Sequence, residues 1–300
     1  MQKFFQAPIS GFIRVAGWIV RHVNERAAYR IGRMLITLVL LPQHSRRMDN
    51  LQKVFAPLGW SDGQLEKLSR ENVRYCSDFI IEVIRLATLS SVELEPRTIC
   101  HGEHHLKDAL DKGQGVFLLG SHLGNWWYGR ALFASKGYRF ANVSNRMPVA
   151  ALEIFLQEVR ARFGIQTTYV GEGGKTSAED AIRHNGIFSM LIDITTPQRE
   201  AQSEWIPLCQ SAIYIDVGPA KLVRDHPRTP VLWLCAKRIG RGRYEFHLSP
   251  IELHERNISA QHVLLTQEWL DRLYNELLEH PEQWWHWSYV KLRKKSELKV

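Results

Sequence analysis

The chain has 300 residues, 45% of them hydrophobic, and a formal net charge of +8 at pH 7. This length and apolar content are sufficient for a large buried core and exclude a disordered or low-complexity protein. The sequence pI of about 9.4 indicates an acidic partner, which could be nucleic acid, anionic lipid or an acidic protein.

The first sixty residues mix apolar and basic side chains. Five apolar residues recur at helical spacing with arginines opposite: Phe12, Val15, Trp18, Ile19 and Val23. This pattern is typical of a helix lying in a membrane interface, and a helix packed on the protein's own core shows it equally. Arg14 interrupts the first apolar run, and residues 34–41 are too few to cross a bilayer, so neither a transmembrane helix nor a secretory signal is predicted. We expect residues 1–60 to form amphipathic, membrane-associated helices.

Residues 61–300 are predicted to form an α/β domain. A capping box at Ser61 to Gln64 opens a helix that extends to about Leu89. The predicted strands are 115–119, 138–143, 165–170, 187–192 and 231–236. The predicted helices that alternate with them or follow them are 126–135, 151–163, 177–184, 216–224 and 259–278. Alternation of this kind indicates a largely parallel central sheet flanked by helices, and residues 243–248 return as an antiparallel strand.

A histidine follows the most apolar of these strands. The run 115–119 is bounded by glycine, as in strands buried on both faces, and His122 comes directly after it. At the carboxyl edge of a parallel sheet, an imidazole can meet a ligand and take a proton from a hydroxyl group. A hydrogen-bonded loop histidine is the commoner role at such a position, so position alone does not decide between the two.

The residues around His122 carry a resemblance to a known family. His122-Leu-Gly-Asn-Trp resembles the start of the His-x4-acid motif of the lipid A secondary acyltransferases, the lauroyl- and myristoyl-transferring branch of the lysophospholipid acyltransferase superfamily. Further similar segments follow in order: Arg46-Arg47-Met-Asp-Asn50-Leu, Asn145-Arg146-Met-Pro148, Arg160-Ala-Arg-Phe-Gly164, Gly186 to Asp193, Ile206-Pro207-Leu, Gly218-Pro-Ala220 and Pro281 to Trp287. The resemblance covers nearly the whole chain.

One position departs from the family motif. Five residues after the histidine the family has a carboxylate, thought to orient the imidazole, and this chain has Trp127 there. Asp193 is the replacement that we predict, because it follows the strand 187–192 and would lie at the same edge of the sheet. Glu172 and Asp216 are weaker candidates, since a loop position or a helix cap explains each of them.

The resemblance implies an acyltransferase that moves a fatty acyl chain from acyl carrier protein to a hydroxyl of a lipid A-type glycolipid or a related lipid acceptor. His122 would act as the general base, with no covalent enzyme intermediate. Asn125, Arg146 and Arg160 are the predicted substrate-binding residues, because amide and guanidinium donors suit an oxyanion or a phosphate. For the two arginines, a surface ion pair with Glu153 or Glu158 is an equal alternative. No cofactor is implied.

No metal site is predicted. The four cysteines lack the spacing of metal ligands and are expected to be reduced thiols: Cys76, Cys100, Cys209 and Cys235. The histidines at His101, His104 and His105 have no second ligand group beside them, and we expect them to be solvated.

Two other functions stay open at this point. Without the motif acid, the chain could be a catalytically degenerate relative that binds acyl carrier protein or lipid without turnover. The positive charge alone would also suit a membrane-surface or nucleic-acid-binding protein, but no nucleic-acid-binding motif is found, so nucleic acid is not an expected partner. Basic residues cluster at 14–33, 46–47, 237–243 and 291–295. With the resemblance, they predict a peripheral or weakly anchored protein on an anionic surface, the cytoplasmic face of the inner membrane.

Overall fold

The computed structural model describes residue 15 and residues 17–147, 150–252 and 262–297. Residues 17–22 are helical, and three longer helices follow: α1 (Glu25–Leu40), α2 (His44–Phe55) and α3 (Asp62–Leu86). The predicted capping box is confirmed, because the Ser61 hydroxyl accepts from the Gln64 backbone and the Gln64 side chain accepts from the Ser61 backbone. The long third helix is therefore fixed at its first turn by the residues that predicted it.

A mostly parallel sheet forms the middle layer of the described chain. The strands are β1 (Thr98–His101), β2 (Val116–Gly120), β3 (Phe140–Ser144), β4 (Gln166–Tyr169), β5 (Ile187–Leu191), β6 (Ser203–Leu208), β7 (Ser211–Asp216), β8 (Val231–Gly240), β9 (Arg243–Ile251) and β10 (Leu292–Lys294). Seven of them pair in the order β1-β9-β8-β2-β5-β3-β4. Only β8 and β9 are antiparallel within this sheet. The predicted α/β fold class and the antiparallel return strand are confirmed.

Helices cover both faces of this sheet. Beyond α3 they are α4 (Glu103–Leu110), α5 (Trp126–Ser135), α6 (Ala150–Phe163), α7 (Gly174–Arg183), α8 (Gly218–Asp225) and α9 (His262–Glu279). Because successive strand residues point to opposite faces, β2 divides its side chains between two buried clusters. Phe117 and Leu119 join one cluster, and Val116 and Leu118 join the other. This two-sided burial explains the unbroken apolar run in the sequence.

Some elements differ from the sequence-based expectations. The edge strand β1 was not predicted, and neither was a second, antiparallel sheet of order β10-β7-β6. The helix predicted to start at residue 216 begins at Gly218, because β7 pairs with β6 as far as Asp216. The predicted start of the last helix at residue 259 lies outside the described residues.

The N-terminal helices are buried on one side and exposed on the other. Val20, Ala28 and Tyr29 pack with Ile81 of α3 in a small buried cluster. Six apolar side chains are more than half exposed: Val15, Trp18, Met34, Leu38, Val39 and Leu41. The buried face matches the expectation of a helix packed on the protein's own core. Membrane association of this segment stays a prediction, and Phe12 lies outside the described residues. No helix in the described ranges has the length and apolar content to cross a bilayer.

The helix before the predicted domain boundary shares the core of the sheet. Leu51, Val54 and Phe55 of α2 belong to the same buried cluster as Phe117 of β2. The division of the chain after residue 60 stays a prediction.

Candidate active site

Two neighbouring strands bring the candidate residues to one edge of the sheet. β2 and β5 are parallel and in register from Val116 opposite Ile187 to Gly120 opposite Leu191. His122 and Asp193 each lie two residues beyond these strand ends. Gly124 is needed for the turn that follows, because its φ is +64° and a Cβ there would lie 1.9 Å from the carbonyl oxygen of Ala236.

The buried carboxylate of Asp193 holds the His122 imidazole. His122 Nδ1 lies 2.7 Å from Asp193 Oδ1, and Oδ2 accepts hydrogen bonds from the His122 backbone N–H at 2.9 Å and from Trp284 Nε1 at 2.7 Å. Asp193 is 0% exposed. Burial raises its pKa, but the charge of His122 and the donated hydrogen bonds outweigh burial and hold the pKa at about 2. The carboxylate is therefore charged at neutral pH.

Aromatic rings enclose the imidazole on its other sides. Trp126 and His286 each form a T-shaped contact with the His122 ring, at centroid distances of 4.5 and 4.2 Å. His286 is buried, and both of its ring nitrogens lack a hydrogen-bond partner among the described residues. Burial lowers the pKa of His286 well below its usual value, and the neighbouring His122 adds to the effect. With Nδ1 of His122 facing a carboxylate, Nε2 is the ring atom left to accept a proton.

His122 lines a cavity of about 1780 Å³, well above the roughly 300–1,000 Å³ of ordinary small-molecule sites. Its wall includes apolar side chains of α1, α3, α5 and α6. It also includes the cations Lys175, Arg199 and Lys221. The site therefore offers a proton acceptor beside space for a long apolar group and for an anionic one.

The predicted substrate-binding residues make contacts within the protein. Asn125 is fully buried and caps α5: its Oδ1 accepts from the backbone N–H of Trp127 and Tyr128, and its Nδ2 donates to the Tyr244 hydroxyl. Among the described residues that line the cavity, neither Asn125, Arg146 nor Arg160 occurs. Asn125 thus has a structural role, and its substrate contact stays a prediction.

The two predicted arginines are engaged in ion pairs. Arg146 is half-exposed and donates to both carboxylate oxygens of Glu172 at 3.0 and 2.9 Å. Arg160 is buried, and its Nη1 donates to Glu153 Oε1 at 2.7 Å and to the Tyr169 hydroxyl at 3.2 Å. Arg160 thus pairs with Glu153, one of the two glutamates of the ion-pair alternative, but the pair is buried and not on the surface. Arg146 pairs with Glu172 instead. Substrate contacts of either arginine stay predictions.

The weaker candidates for the partner of His122 lie elsewhere. Glu172 pairs with Arg146. Asp216 accepts from Arg199 Nε at 2.8 Å and from the backbone N–H of Gly218 at the start of α8. Asp216 thus caps the start of α8, and Glu172 forms an ion pair in a loop. These are the roles that the sequence suggested for the two carboxylates.

The sequence-based site omitted Trp284, His286 and Arg130. Trp284 donates to Asp193, His286 contacts His122, and Arg130 of α5 lines the cavity. Trp284 and His286 lie some ninety or more positions along the chain from Asp193 and His122, which they contact. A contact between residues so far apart in the sequence leaves no local pattern. Arg130 was recognisable as a lone charge in an otherwise apolar helix.

A possible cation site lies on strands β1 and β9. The candidate ligand atoms of His101, Glu245 and His247 lie within 4.8 Å of one another. Glu245 Oε1 lies 2.7 Å from His101 Nε2 and 3.2 Å from His247 Nε2, and none of the three is among the described residues that line the cavity. His101 therefore meets Glu245 and His247 across the sheet. His104 and His105 instead contact each other.

Comparisons with known proteins bear on the whole chain. The family model described as bacterial lipid A biosynthesis acyltransferase matches residues 3–294. A comparison with curated proteins gave no match. The matched span contains His122, Asp193 and every helix and strand named above.

Proposed function

The chain belongs to the family of bacterial lipid A biosynthesis acyltransferases, and from this membership we propose that it transfers a fatty acyl chain from acyl carrier protein to a hydroxyl group of a lipid A-type glycolipid or a related lipid. The observation that carries the proposal is the pair of His122 and the buried Asp193 at the wall of a largely apolar cavity. A charged carboxylate behind an imidazole is the arrangement of a general base whose cationic form is stabilised.

The proposed reaction is a direct displacement. The acceptor hydroxyl oxygen attacks the thioester carbonyl carbon while His122 Nε2 takes the hydroxyl proton. A carbon–oxygen bond forms, the carbon–sulfur bond breaks, and the imidazolium returns the proton to the leaving thiolate. Asp193 fixes Nδ1–H and balances the positive charge in between.

The developing oxyanion needs a hydrogen-bond donor. Asn125 caps the backbone N–H groups of Trp127 and Tyr128, which leaves the N–H of Trp126 outside this cap. It lies at the positive end of the α5 dipole and next to the ring that contacts His122. We assign the oxyanion to this N–H, with Arg160 as the alternative donor.

The cavity and the exposed apolar side chains support a membrane position. Trp18 and Val39 line the cavity and are also 62% and 66% exposed. A lipid could therefore pass from a bilayer into the cavity beside them. We propose peripheral association of this surface with anionic lipid on the cytoplasmic face of the inner membrane.

Acyl transfer is tested with purified protein, a panel of acyl carrier proteins loaded with different chains, and a lipid A-type acceptor in vesicles. His122→Ala should lose at least about 10²-fold in rate, whereas His184→Ala, which removes an exposed histidine directly after α7, should retain wild-type rate. Circular dichroism checks that both variants are folded. Transfer by His122→Ala at the wild-type rate would refute the role of the base.

The degenerate alternative is favoured by Trp127, which stands where the family has its acid. It predicts that the wild-type chain binds acyl carrier protein but transfers no acyl chain from any member of the panel. Turnover by the wild type excludes this alternative.

Vesicle co-sedimentation tests the membrane position. Leu38→Glu, on the exposed face of α1, should weaken binding to vesicles that contain phosphatidylglycerol. Val92→Glu, at an exposed apolar site that is not on the N-terminal helices, is the matched control. Equal binding by both variants would contradict the proposed surface.

A further inference from the structure

Helix α5 contributes to the cavity wall a buried cation that has no counter-ion among the described residues. Arg130 is 5% exposed, and it lines the cavity. Its Nε is buried without a partner, and the guanidinium makes no hydrogen bond or ion pair with any described residue. Burial lowers the pKa of Arg130 to about 9, and the nearby charge of Arg160 adds to the effect, so the group is still protonated at pH 7. An unpaired charge in such surroundings is strongly unfavourable unless a ligand completes it.

Trp127 explains why no carboxylate of α5 pairs with this arginine. Residues three apart on a helix are neighbours, so a carboxylate at position 127 would lie within reach of the Arg130 side chain. The indole provides a ring contact, 5.5 Å from its centroid to Arg130 Cζ, but no negative charge. Arg160 lies at a similar 5.4 Å from the same ring, yet it has Glu153 as partner. Of the two guanidiniums beside Trp127, only that of Arg130 is unbalanced.

We propose that Arg130 is the anion-binding residue of an internal subsite, which takes the phosphate or carboxylate group of an amphipathic lipid. The surrounding wall suits the hydrocarbon part of such a ligand: it includes Phe79, Ile80 and Val83 of α3 and Leu152, Phe155 and Leu156 of α6. A guanidinium binds either anion through parallel N–H donors. A neutral chain would leave the charge unpaired, so the ligand has to bring the negative group into the cavity.

Calorimetric titration of the full chain with three twelve-carbon probes tests this subsite. Dodecyl phosphate and laurate should bind more tightly than dodecanol, and the tighter of the two anions identifies a phosphate-bearing or a carboxylate-bearing ligand. Arg130→Met should weaken binding of the preferred anion about 10-fold or more and leave dodecanol unchanged. Arg139→Met, which removes a surface arginine paired with Asp180, should bind all three probes as the wild type does.

A second pair of variants keeps the test independent of the folding of Arg130→Met. Trp127→Glu supplies the missing counter-ion and should lose the preference for anions, whereas Trp127→Phe should keep it. Retention of anion preference by Trp127→Glu, or an equal loss for all three probes in Arg130→Met, overturns the proposal.

The subsite deepens the proposed function, since it presumes that the cavity holds a lipid, but its test measures binding and not transfer. If the chain transfers no acyl group yet binds the anions through Arg130, the subsite stands and the proposed function fails. If transfer occurs and the anion preference is absent, the proposed function stands and the subsite fails.

Discussion

Two charged side chains of this molecule are buried to a similar degree and differ in how their charge is balanced. Asp193 accepts three hydrogen bonds, two from His122 and one from Trp284. The Arg130 guanidinium, a donor group, has a buried Nε without a hydrogen-bond partner and forms no ion pair with a described residue. A buried charge whose hydrogen bonds are all made is fixed in position, whereas a buried charge without partners destabilises the fold until something binds it.

This difference separates a preorganised part of the cavity from an incomplete part. Around Asp193, the protein itself supplies every partner, so a substitution there should change the rate of transfer. Around Arg130, a ligand would supply the partner, so a substitution should change binding and the free energy of unfolding.

The largest effect is expected from Asp193→Asn. The amide cannot balance an imidazolium and can turn its N–H towards His122 Nδ1, which would leave the wrong ring nitrogen protonated. We expect kcat to fall roughly 10²–10⁴-fold, with a much smaller change in KM for the acyl carrier protein. Steady-state kinetics with Asp180→Asn, a surface carboxylate, as control measure this, and a fall of less than tenfold would contradict the role of Asp193.

The next largest effect is a difference in the free energy of unfolding between variants of the two arginines beside Trp127. Arg160→Met leaves Glu153 buried without its ion-pair partner and should destabilise the protein by about 3–5 kcal/mol. Arg130→Met removes an unpaired charge and should raise the free energy of unfolding of the ligand-free protein. Urea titration of both variants gives the two values. Destabilisation of similar size in both would mean that Arg130 has a structural partner.

A smaller effect is expected from Trp284→Phe. The variant keeps most of the buried ring volume but removes the hydrogen bond to Asp193 Oδ2, so the pKa of Asp193 should rise and kcat should fall about tenfold. Trp287→Phe is a matched control, because Trp287 is equally buried and its Nε1 donates to the Pro281 carbonyl instead. If both variants lose the same activity, the loss reflects packing of the two rings rather than the hydrogen bond.

Much of the fold follows from local patterns in the sequence. The apolar run of β2 and the capping box at Ser61 predicted their elements because neighbouring residues alone determine them. The hairpin of β6 and β7 was missed although its two strands are adjacent in the sequence. The pairing of β7 with β10 was missed because β10 lies some eighty positions further along the chain. Pairings at such separation depend on the packed core and leave no local signal.

The site was predictable only where it coincides with strand ends. Asp193 was selected because parallel strands end at one edge, and the structure does place it at hydrogen-bond distance from His122. The partners of Asp193 and His122 from residues 284–286 could not be found, since the chain returns to the edge after α9. Arg146 and Arg160 were chosen for their charge, and charge does not indicate whether a glutamate already occupies the side chain.

One residue of the preorganised part is itself incomplete, and it gives the last prediction. His286 is buried against His122 with both ring nitrogens unpartnered, and burial lowers its pKa. Below about pH 6.5 the unfolded chain therefore binds a proton on this imidazole, whereas the folded chain does not. The free energy of unfolding that depends on the neutral ring is fully present above about pH 6.5. It is lost as the pH falls below that value, by up to about 1.4 kcal/mol per pH unit. His286→Phe should remove that part of the acid sensitivity, and His184→Phe should not. Urea unfolding between pH 7.5 and 5 measures both slopes; a slope in His286→Phe equal to that of the wild type would mean that the ring is protonated in the folded protein.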